Sequence, residues 1–400
     1  MMDFRFTDEQ ENFRSNIKTF IESTLTNEFW SAQEAKGMSE GREERSSPEF
    51  SRMAADAGWL AVAWPEEYGG AGLSYTEQMI YMEEMAEVGA PQEHHRRAVQ
   101  QVGPSIILFG NEEQKQEYLP QIAKGELSFA MGLSEPDAGS DLASANTRAV
   151  KDGDFYTVNG QKKWTSGAHY SDLLWTVVRT DPNAPKHRGL SMLIIPLDAE
   201  GVVVEPILDM QGEHHFNKVH FEDVKVPIEN IVGEENRGWY VNASTMDFER
   251  SGIARIASLR RALKQATTAH QVPQSGHTSE SKRTRLADLS ISTKVSELLA
   301  YRVVSQQASG LIPNYEVSIT KLLASEVDQA IHNLHVGIDG LFGNLSFSKW
   351  ATSSNGGSLR RDLRTSANGY ISAIPGTIAQ GSSEIQRNVI ATRGLGLPRG

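Results

Sequence analysis

The spacing of apolar positions changes period twice along the chain. Phe13, Ile17, Phe20 and Ile21 recur at helical intervals behind Thr7 and Gln10, which are spaced as a capping box, so a first helix is expected to start at Thr7. Helical patterning continues to about Lys124, broken by the turn-rich run Trp64-Pro65-Glu66-Glu67-Tyr68-Gly69-Gly70-Ala71-Gly72. Near Glu126 the period shortens. Asp152-Gly153 and Asn159-Gly160 stand between short β-type runs and predict hairpin turns. The runs from Leu173 to Arg179, Leu190 to Pro196, Val202 to Leu208 and Lys218 to Val226 predict further strands. After Gly238 helical spacing returns, interrupted by the polar stretch from Gln274 to Lys282 and a Gly/Ser-rich stretch around Ser353 to Ser358. The expected fold class is α+β: an N-terminal α-helical domain over 1–125, a middle antiparallel β domain over 126–236, and a C-terminal four-helix-bundle-like domain over 237–400.

Composition narrows what such a chain does. At 400 residues it exceeds the size at which one core usually keeps growing, which agrees with several domains. A balance of 39 Lys and Arg against 51 Asp and Glu gives a net charge of −12, and without a dense basic run nucleic acid is not an expected partner. The absence of Cys removes disulfides, thiolate metal ligands and a Cys nucleophile together, and fits a reducing compartment. The opening Met1-Met2-Asp3-Phe4-Arg5-Phe6 runs into acidic and polar residues rather than an apolar signal region, and no later apolar run is long enough to span a bilayer. The expectation is a soluble cytoplasmic protein with no membrane insertion.

Several familiar chemistries are missing: there is no G-x-G-x-x-G between strand and helix, no P-loop and no H-E-x-x-H. His94-His95 and His214-His215 are adjacent, so on a regular element their side chains diverge, and ordinary polar roles are expected rather than metal binding. His332 and His335 share a helix face but show no obvious carboxylate partner, and take the same reading. The segment Met131-Gly132-Leu133-Ser134-Glu135-Pro136-Asp137-Ala138-Gly139-Ser140-Asp141 is rich in small and hydroxylated residues. These would let backbone N–H groups and Ser hydroxyls approach a polar ring edge or a pyrophosphate, although an ordinary helix-capping turn explains the composition equally well.

That segment resembles the first signature of the acyl-CoA dehydrogenase family, and the likeness covers essentially the whole chain. It includes Phe6-Thr7-Asp8-Glu9-Gln10, the Trp64 to Gly72 turn, Asn159-Gly160-Gln161-Lys162-Lys163-Trp164-Thr165-Ser166-Gly167 and Ser382-Ser383-Glu384-Ile385-Gln386-Arg387-Asn388, in the family's order. The resemblance implies FAD as cofactor. It puts the backbone at Met131, Leu133 and Ser134 against the flavin's pyrimidine edge, Trp164 on the isoalloxazine, Ser166 near N5, Ser140 near the pyrophosphate or the CoA arm, and Ser382 and Glu384 at the adenosine half. For Trp164 the competing reading is a core aromatic of the β domain. Substrate contacts are implied for Ser140, Asp247, Arg250 and Gly381. An acyl-CoA substrate, an electron-transferring flavoprotein as electron acceptor, and assembly as a homotetramer or heterotetramer are implied in the same way.

Two departures from the family pattern stand out. Many members carry Arg-x-x-Phe-Gly and a Gln with Gly-Gly-x-Gly, through which a neighbouring subunit holds the AMP half of FAD; here the first position holds the stretch from Gln274 to Arg285, and only the run from Gly337 to Gly343 is similar to the second. The family's usual catalytic Glu is replaced by Gln380, and an amide is no general base, though its backbone N–H remains a donor to a thioester oxygen. Projected as one helix after Gly238, Trp239, Met246, Ile253, Ile256 and Leu263 form an apolar stripe that includes Glu249. A carboxylate there is costly unless paired or used, and a structural ion pair with Arg250 or another Arg is the competing reading. Branches of the family that include isovaleryl-CoA, long-chain and steroid-degrading dehydrogenases are similar at this position and use such a Glu as base. By that resemblance Glu249 takes the pro-R α hydrogen while the β hydrogen leaves as hydride, giving a trans-2-enoyl-CoA. A heterotetramer subunit, a flavin oxidase and a non-catalytic acyl-CoA-binding protein on the same fold are the alternatives.

Overall fold

The computed structural model describes residues 5–40, 46–248, 252–271, 280–311, 313–344 and 366–398. The α-helices are α1 (Asp8–Thr24), α2 (Asn27–Glu40), α3 (Pro48–Asp56), α4 (Tyr75–Val88), α5 (Glu93–Arg97), α6 (Gly103–Phe109), α7 (Glu112–Ala123), α8 (Gly238–Phe248), α9 (Ile253–Gln271), α10 (Glu280–Ala308), α11 (Tyr315–Asp339), α12 (Ser366–Ala373) and α13 (Ser383–Val389). The strands are β1 (Phe129–Gly132), β2 (Arg148–Asp152), β3 (Phe155–Lys162), β4 (Leu173–Arg179), β5 (Leu190–Pro196), β6 (Val202–Leu208), β7 (His214–Pro227) and β8 (Ile231–Val232). Helices, then strands, then helices follow one another as the periodicity predicts. The described residues group into two compact units: a helical unit drawn from Met1–Thr26, Ser74–Ala90 and Arg250–Gly400, and a sheet unit drawn from Asn27–Leu73 and Pro91–Glu249.

In the sheet unit the strands run in the order β6-β7-β3-β2-β4-β5-β8, with β1 paired to β4. Most neighbours are antiparallel, as expected, but β1 lies parallel to β4 and β2 meets β4 in parallel at Arg148 and Arg179. A parallel pair needs a long connection, and the run from Gly132 to Leu173 supplies it. One face of the sheet buries Tyr156, Val158, Leu174, Leu193, Val219 and Phe221 as its core. Asp152-Gly153 opens a hairpin as expected: Asp152 pairs with Phe155 across a two-residue connection, with Gly153 at φ +60°. Asn159-Gly160 does not turn the chain. Asn159 exchanges hydrogen bonds with Asp223 on β7, its Nδ2 donating to Oδ1 at 2.9 Å and its Oδ1 accepting the Asp223 N–H at 2.9 Å. The pair of residues thus forms a bulge, with a register shift between Val158 and Gly160, and β3 continues to Lys162.

The helical part of this unit is built on the Trp64 to Gly72 turn. Trp64 Nε1 donates to the Val99 carbonyl at 3.1 Å, and a Cβ on Gly103 would fall 1.9 Å from the indole, so the ring lies directly on the helix backbone. That helix runs from α5 through a π-helical segment at Ala98–Val102 into α6. Gln114 on α7 donates to the carbonyls of Glu229 and Ile231, both at 2.7 Å, tying helices to strands.

In the helical unit Thr7 caps α1 with Gln10 as predicted, and Ile17 and Ile21 are buried. The helices meet around Glu83 of α4, whose carboxylate is buried. Arg14 Nη1 of α1 lies 3.0 Å from Oε2, Arg260 Nη1 of α9 lies 2.7 Å from Oε1, and Tyr301 of α10 donates to Oε1 at 3.2 Å. Arg261 Nη1 donates at 2.7 Å to the Ala86 carbonyl, in the last turn of α4. His332 and His335 do have carboxylates nearby, contrary to the expectation from sequence: Asp328 Oδ1 at 3.5 Å and Asp339 Oδ2 at 3.7 Å, each one helical turn away. The single helix projected after Gly238 is also corrected. α8 ends at Phe248 and α9 begins at Ile253, after Gly252 at φ +69°, so Trp239 and Met246 belong to a different helix from Ile253, Ile256 and Leu263. The polar and Gly/Ser-rich stretches expected at 274–282 and 353–358 lie largely outside the described residues.

Gly160 combines φ +141° with a neighbour, Thr147 Cα, that an added Cβ would meet at 2.8 Å. Gly160→Ala is expected to destabilise the protein by about 2–4 kcal/mol, read as a lower denaturant midpoint with an unchanged slope.

Candidate active site

In the sheet unit the two segments singled out from sequence lie side by side. β1 is anchored where Thr176 Oγ1 donates to the Gly132 carbonyl at 2.6 Å, and just beyond it the Lys163 N–H donates to the Ser134 carbonyl at 2.8 Å. The closest tie is a buried ion pair. Lys162, fully buried at the end of β3, places Nζ 2.7 Å from Glu135 Oε1 and 3.3 Å from the Leu133 carbonyl. Glu135 also accepts the N–H groups of Asn146 at 2.6 Å and Thr147 at 2.9 Å. Burial alone would raise the Glu135 carboxyl, but the Lys162 charge and these donors hold it below its ordinary value; burial pulls the Lys162 ammonium down against the same partner.

Lys162 ends the strand and Trp164 leaves it in a left-handed conformation, φ +64°, which is unfavourable for an aromatic residue. The indole is 51% exposed, with Lys163 Nζ 4.7 Å from one ring centroid and Phe216 edge-on at 5.8 Å. The core-aromatic reading of Trp164 is therefore corrected; the buried indole of the sheet is that of Trp175. The next residues are pinned to β7. The Thr165 N–H donates to the Asn217 carbonyl at 3.0 Å, Asn217 Nδ2 returns a bond to the Thr165 carbonyl at 2.9 Å, and the Gly167 N–H donates to the His215 carbonyl at 3.1 Å. Asn217 is held in turn by His214 Nε2 at 2.7 Å, and His214 stacks on His169 at 3.9 Å, so polar positioning is what this histidine pair does.

The helical unit holds the other predicted cluster. Gln380 has φ +57° and Gly381 φ +81°, and Ser382 caps α13, its Oγ accepting the Ile385 N–H at 3.4 Å. Three side chains fasten this turn: Gln386 Nε2 donates to the carbonyls of Gln380 and Gly381, each at 3.1 Å, Lys321 Nζ donates to the Gly381 carbonyl at 2.6 Å, and Arg255 Nη2 donates to Gln380 Oε1 at 3.2 Å. Glu384 is exposed, in the first turn of that helix. Lys321 is pushed down to about 8, first by burial and then by Arg255, against Glu384 and Glu326.

Met131, Leu133, Ser134, Trp164 and Ser166 are thus brought together in one unit, and Gln380, Gly381, Ser382 and Glu384 in the other. Ser140 is exposed on the loop after Glu135. Asp247 lies on α8, while Glu249 and Arg250 lie outside the described residues. The residues present fit a flavin. A half-exposed indole held in a strained conformation offers a ring face, the Ser134 and Ser166 hydroxyls are half-buried beside it, and Thr165 Oγ1 is buried with no hydrogen-bond partner among the described residues. Among the described residues no group of three or more His, Asp or Glu side chains is placed to hold a metal ion. Sequence reading missed Glu135, Lys162, Arg255, Lys321 and Gln386. A Lys at the end of a buried strand and a Glu inside the signature were the available signals for the first two.

Two outcomes follow from these contacts. Lys162→Met strands the Glu135 carboxylate in the interior and is expected to cost about 3–5 kcal/mol of stability, part of which Lys162→Met combined with Glu135→Gln restores; urea unfolding of both variants checks this. For Lys321 the folded-state value near 8 lies below its ordinary 10.5, so between these values the unfolded chain holds a proton that the folded one has lost. Stability contributed by this group therefore rises with pH across that window. In Lys321→Met, unfolding midpoints followed from pH 7.5 to pH 10.5 should lose that rise.

The sequence and the fold have counterparts among known proteins. Residues 7–126, 130–224 and 236–395 match the models of the N-terminal, middle and C-terminal domains of acyl-CoA dehydrogenase. Acyl-CoA dehydrogenase FadE26 of Mycobacterium tuberculosis is 34% identical over 410 residues, covering 100% of this chain and 99% of FadE26. Among solved structures, the Tcur3481-Tcur3483 steroid ACAD is similar with a TM-score of 0.85 at 32% identity, and the ChsE4-ChsE5 complex from Mycobacterium tuberculosis with a TM-score of 0.85 at 33% identity, each covering 100% of both chains. With all three domain types matched in order and relatives aligned from end to end, this chain belongs to the acyl-CoA dehydrogenase family of oxidoreductases.

Proposed function

We propose that this protein binds FAD and removes the α and β hydrogens of a CoA thioester to give a trans-2-enoyl-CoA, with Glu249 as the base. The observation that carries the reading is the pinned Trp164-Thr165-Ser166 segment, hydrogen-bonded to β7 and lying beside Ser134, which presents an aromatic face and hydroxyls as one rigid surface. When bound, FAD would supply the acceptor for the β hydrogen, taken as hydride. Met131, Leu133, Ser134, Trp164 and Ser166 hold and orient its ring, Ser382 and Glu384 its adenosine half, and Ser140 the pyrophosphate or the CoA arm. The Gln380 backbone N–H donates to the thioester oxygen and stabilises the enolate that forms as the α proton leaves. Its side-chain amide accepts from Arg255 and has no basicity to offer, so the proton goes to the carboxylate of Glu249, with Asp247, Arg250 and Gly381 as substrate contacts. An electron-transferring flavoprotein would serve as the electron acceptor.

A steroid-derived acyl group and a two-component assembly are favoured by the relatives, since one is described as a steroid ACAD with two gene products and the other as a complex of two chains. A heterotetramer with a sister chain is thus preferred to a homotetramer. Mass measurement on the chain alone and with its partner distinguishes the two.

Replacing Glu249 by Gln keeps shape while removing basicity. FAD is expected to remain bound and its anaerobic reduction by substrate to slow roughly 10²- to 10⁴-fold. Reduction at near the parental rate would place the base elsewhere, and folded protein that takes up no FAD, even with the partner chain, would sink the flavoenzyme reading altogether. Peroxide release during turnover would identify an oxidase instead.

A further inference from the structure

The grip of β7 on the Trp164-Thr165-Ser166 segment runs through one buried amide. Opposite β6, Ile207 pairs with Phe216 and Leu208 with His214, so β7 carries His215 as a bulge. Residues three apart on a strand ordinarily point to opposite faces, but this bulge turns His214 to the same face as Asn217. His214 Nε2 then lies 2.7 Å from Asn217 Oδ1, while Asn217 Nδ2 lies 2.9 Å from the Thr165 carbonyl oxygen and 3.1 Å from His169 Nδ1. Asn217 and Thr165 are both fully buried. The Thr165 carbonyl can only accept, so the atom facing it is the amide nitrogen, and that settles the orientation of Asn217. Protonation states follow from the orientation. His214 Nε2 carries a hydrogen to meet Oδ1, and His169 Nδ1 offers a lone pair to meet Nδ2.

The two histidines therefore respond differently to a second proton. A proton added to His214 leaves its bond to Asn217 intact. One added at His169 Nδ1 sets donor against donor, and flipping the Asn217 amide to meet it would turn Oδ1 against the Thr165 carbonyl. Either way that carbonyl loses the Asn217 donor. His169 stacks on His214 with ring centroids 3.9 Å apart and meets Tyr170 edge-on at 4.6 Å, so a charge on His214 opposes one on His169. The 3-10 turn Ala168–Tyr170 packs on β1, β6 and β7. β1 has no titratable side chain, and Glu205 of β6 is engaged by Lys218 and His220 of β7. Elsewhere on β7 the His215 ring meets Phe216, Asp223 is bonded to Asn159, Lys225 reaches Asp152 and Glu222 is exposed; after the turn, Asp172 accepts from Ser128. We propose that His214, Asn217 and His169 form a proton-sensitive latch on the Trp164-Thr165-Ser166 segment, closed while His169 Nδ1 is bare and released once it is protonated. Its bearing on activity rests on the reading that this segment holds FAD.

The test uses the full chain, with any partner chain it requires, first without added FAD. Hydrogen exchange is followed at the Thr165 and Gly167 amides, which donate to the Asn217 and His215 carbonyls. Protection is expressed relative to the amides of β5, which corrects for the slowing of exchange in acid. From about pH 8 to about pH 5, the range over which imidazoles change charge, parental protection should fall roughly tenfold or more. His169→Gln keeps an acceptor for Asn217 that takes up no proton, and should hold its protection throughout. His214→Gln keeps the donor to Oδ1 but removes the opposing charge, so release should move to higher pH. Asn217→Asp has no N–H for the Thr165 carbonyl and should be poorly protected already at about pH 8. Flat parental protection across the range overturns the proposal, as does a His169→Gln protein that loosens in acid as the parent does. Should Asn217→Asp fail to fold, the parental profile and the two histidine variants decide. FAD affinity, read by quenching of flavin fluorescence, should weaken in step with release in the parent and not in His169→Gln. Protection lost in acid with FAD affinity unchanged would leave the latch standing and defeat the assignment of this segment to the flavin.

Discussion

The candidate site depends on one buried ion pair, Lys162 with Glu135. It joins the end of β3 to the loop after β1, the two segments on which the proposed flavin contacts sit. A lysine with no solvent exposure is tolerable because Glu135 lies 2.7 Å away, and Glu135 is tolerable because two backbone N–H groups complete its coordination. Removing any one of these partners strands charge in the interior, so the loop has a single well-determined path. Arg179 reinforces it from below, donating to the Ala143 and Ala145 carbonyls at 2.6 and 3.0 Å. Rigidity of this kind suits a site whose chemistry needs a ring held in fixed relation to donors.

Strain is concentrated where function is proposed. The described non-glycine residues with positive φ are Trp164, Asp223, Asn236 and Gln380, and two of these four are predicted site residues. Each is held by neighbours that over-determine it: the β7 hydrogen bonds after Trp164, and Gln386, Lys321 and Arg255 around Gln380. A positive φ turns the backbone so that side chain and peptide groups face directions regular structure does not allow, at a cost the surrounding contacts offset.

The helical unit uses the same physics at larger scale. Around Glu83, Arg14, Arg260 and Tyr301 bring α1, α4, α9 and α10 to one carboxylate, although α1 and α4 come from the start of the chain and α9 and α10 from its second half. Grouping in space therefore departs from order in sequence: α1 and α4 join the C-terminal helices, whereas α2, α3 and α5 to α7 join the sheet. The buried acid thus ties four helices together by polar contacts in addition to their apolar packing.

Local physics made much of this legible in the chain itself. The Thr7 capping box, the Gly153 hairpin and the strands at Leu173–Arg179, Leu190–Pro196 and Val202–Leu208 rest on short-range periodicity and turn chemistry, which the sequence carries whole. Family likeness marked Met131 to Ser134, Trp164 to Ser166 and Gln380 to Glu384 as site segments. What sequence could not supply were choices between locally equivalent states. Asn159-Gly160 satisfies a hairpin turn or a bulge equally well, and only Asp223 on a neighbouring strand made it a bulge. A helix projected across Gly238 to Leu263 ignores that Gly252 reaches φ +69° at no steric cost, so the helix breaks there. Lys162 with Glu135, Arg255 with Gln380 and Lys321 with Gly381 are pairings across 27, 125 and 60 residues, set by packing rather than by spacing. The sequence by itself determined most of the elements that form and marked the candidate segments; the tertiary structure decided their partners, because a buried charge finds its counter-ion in space and not along the chain.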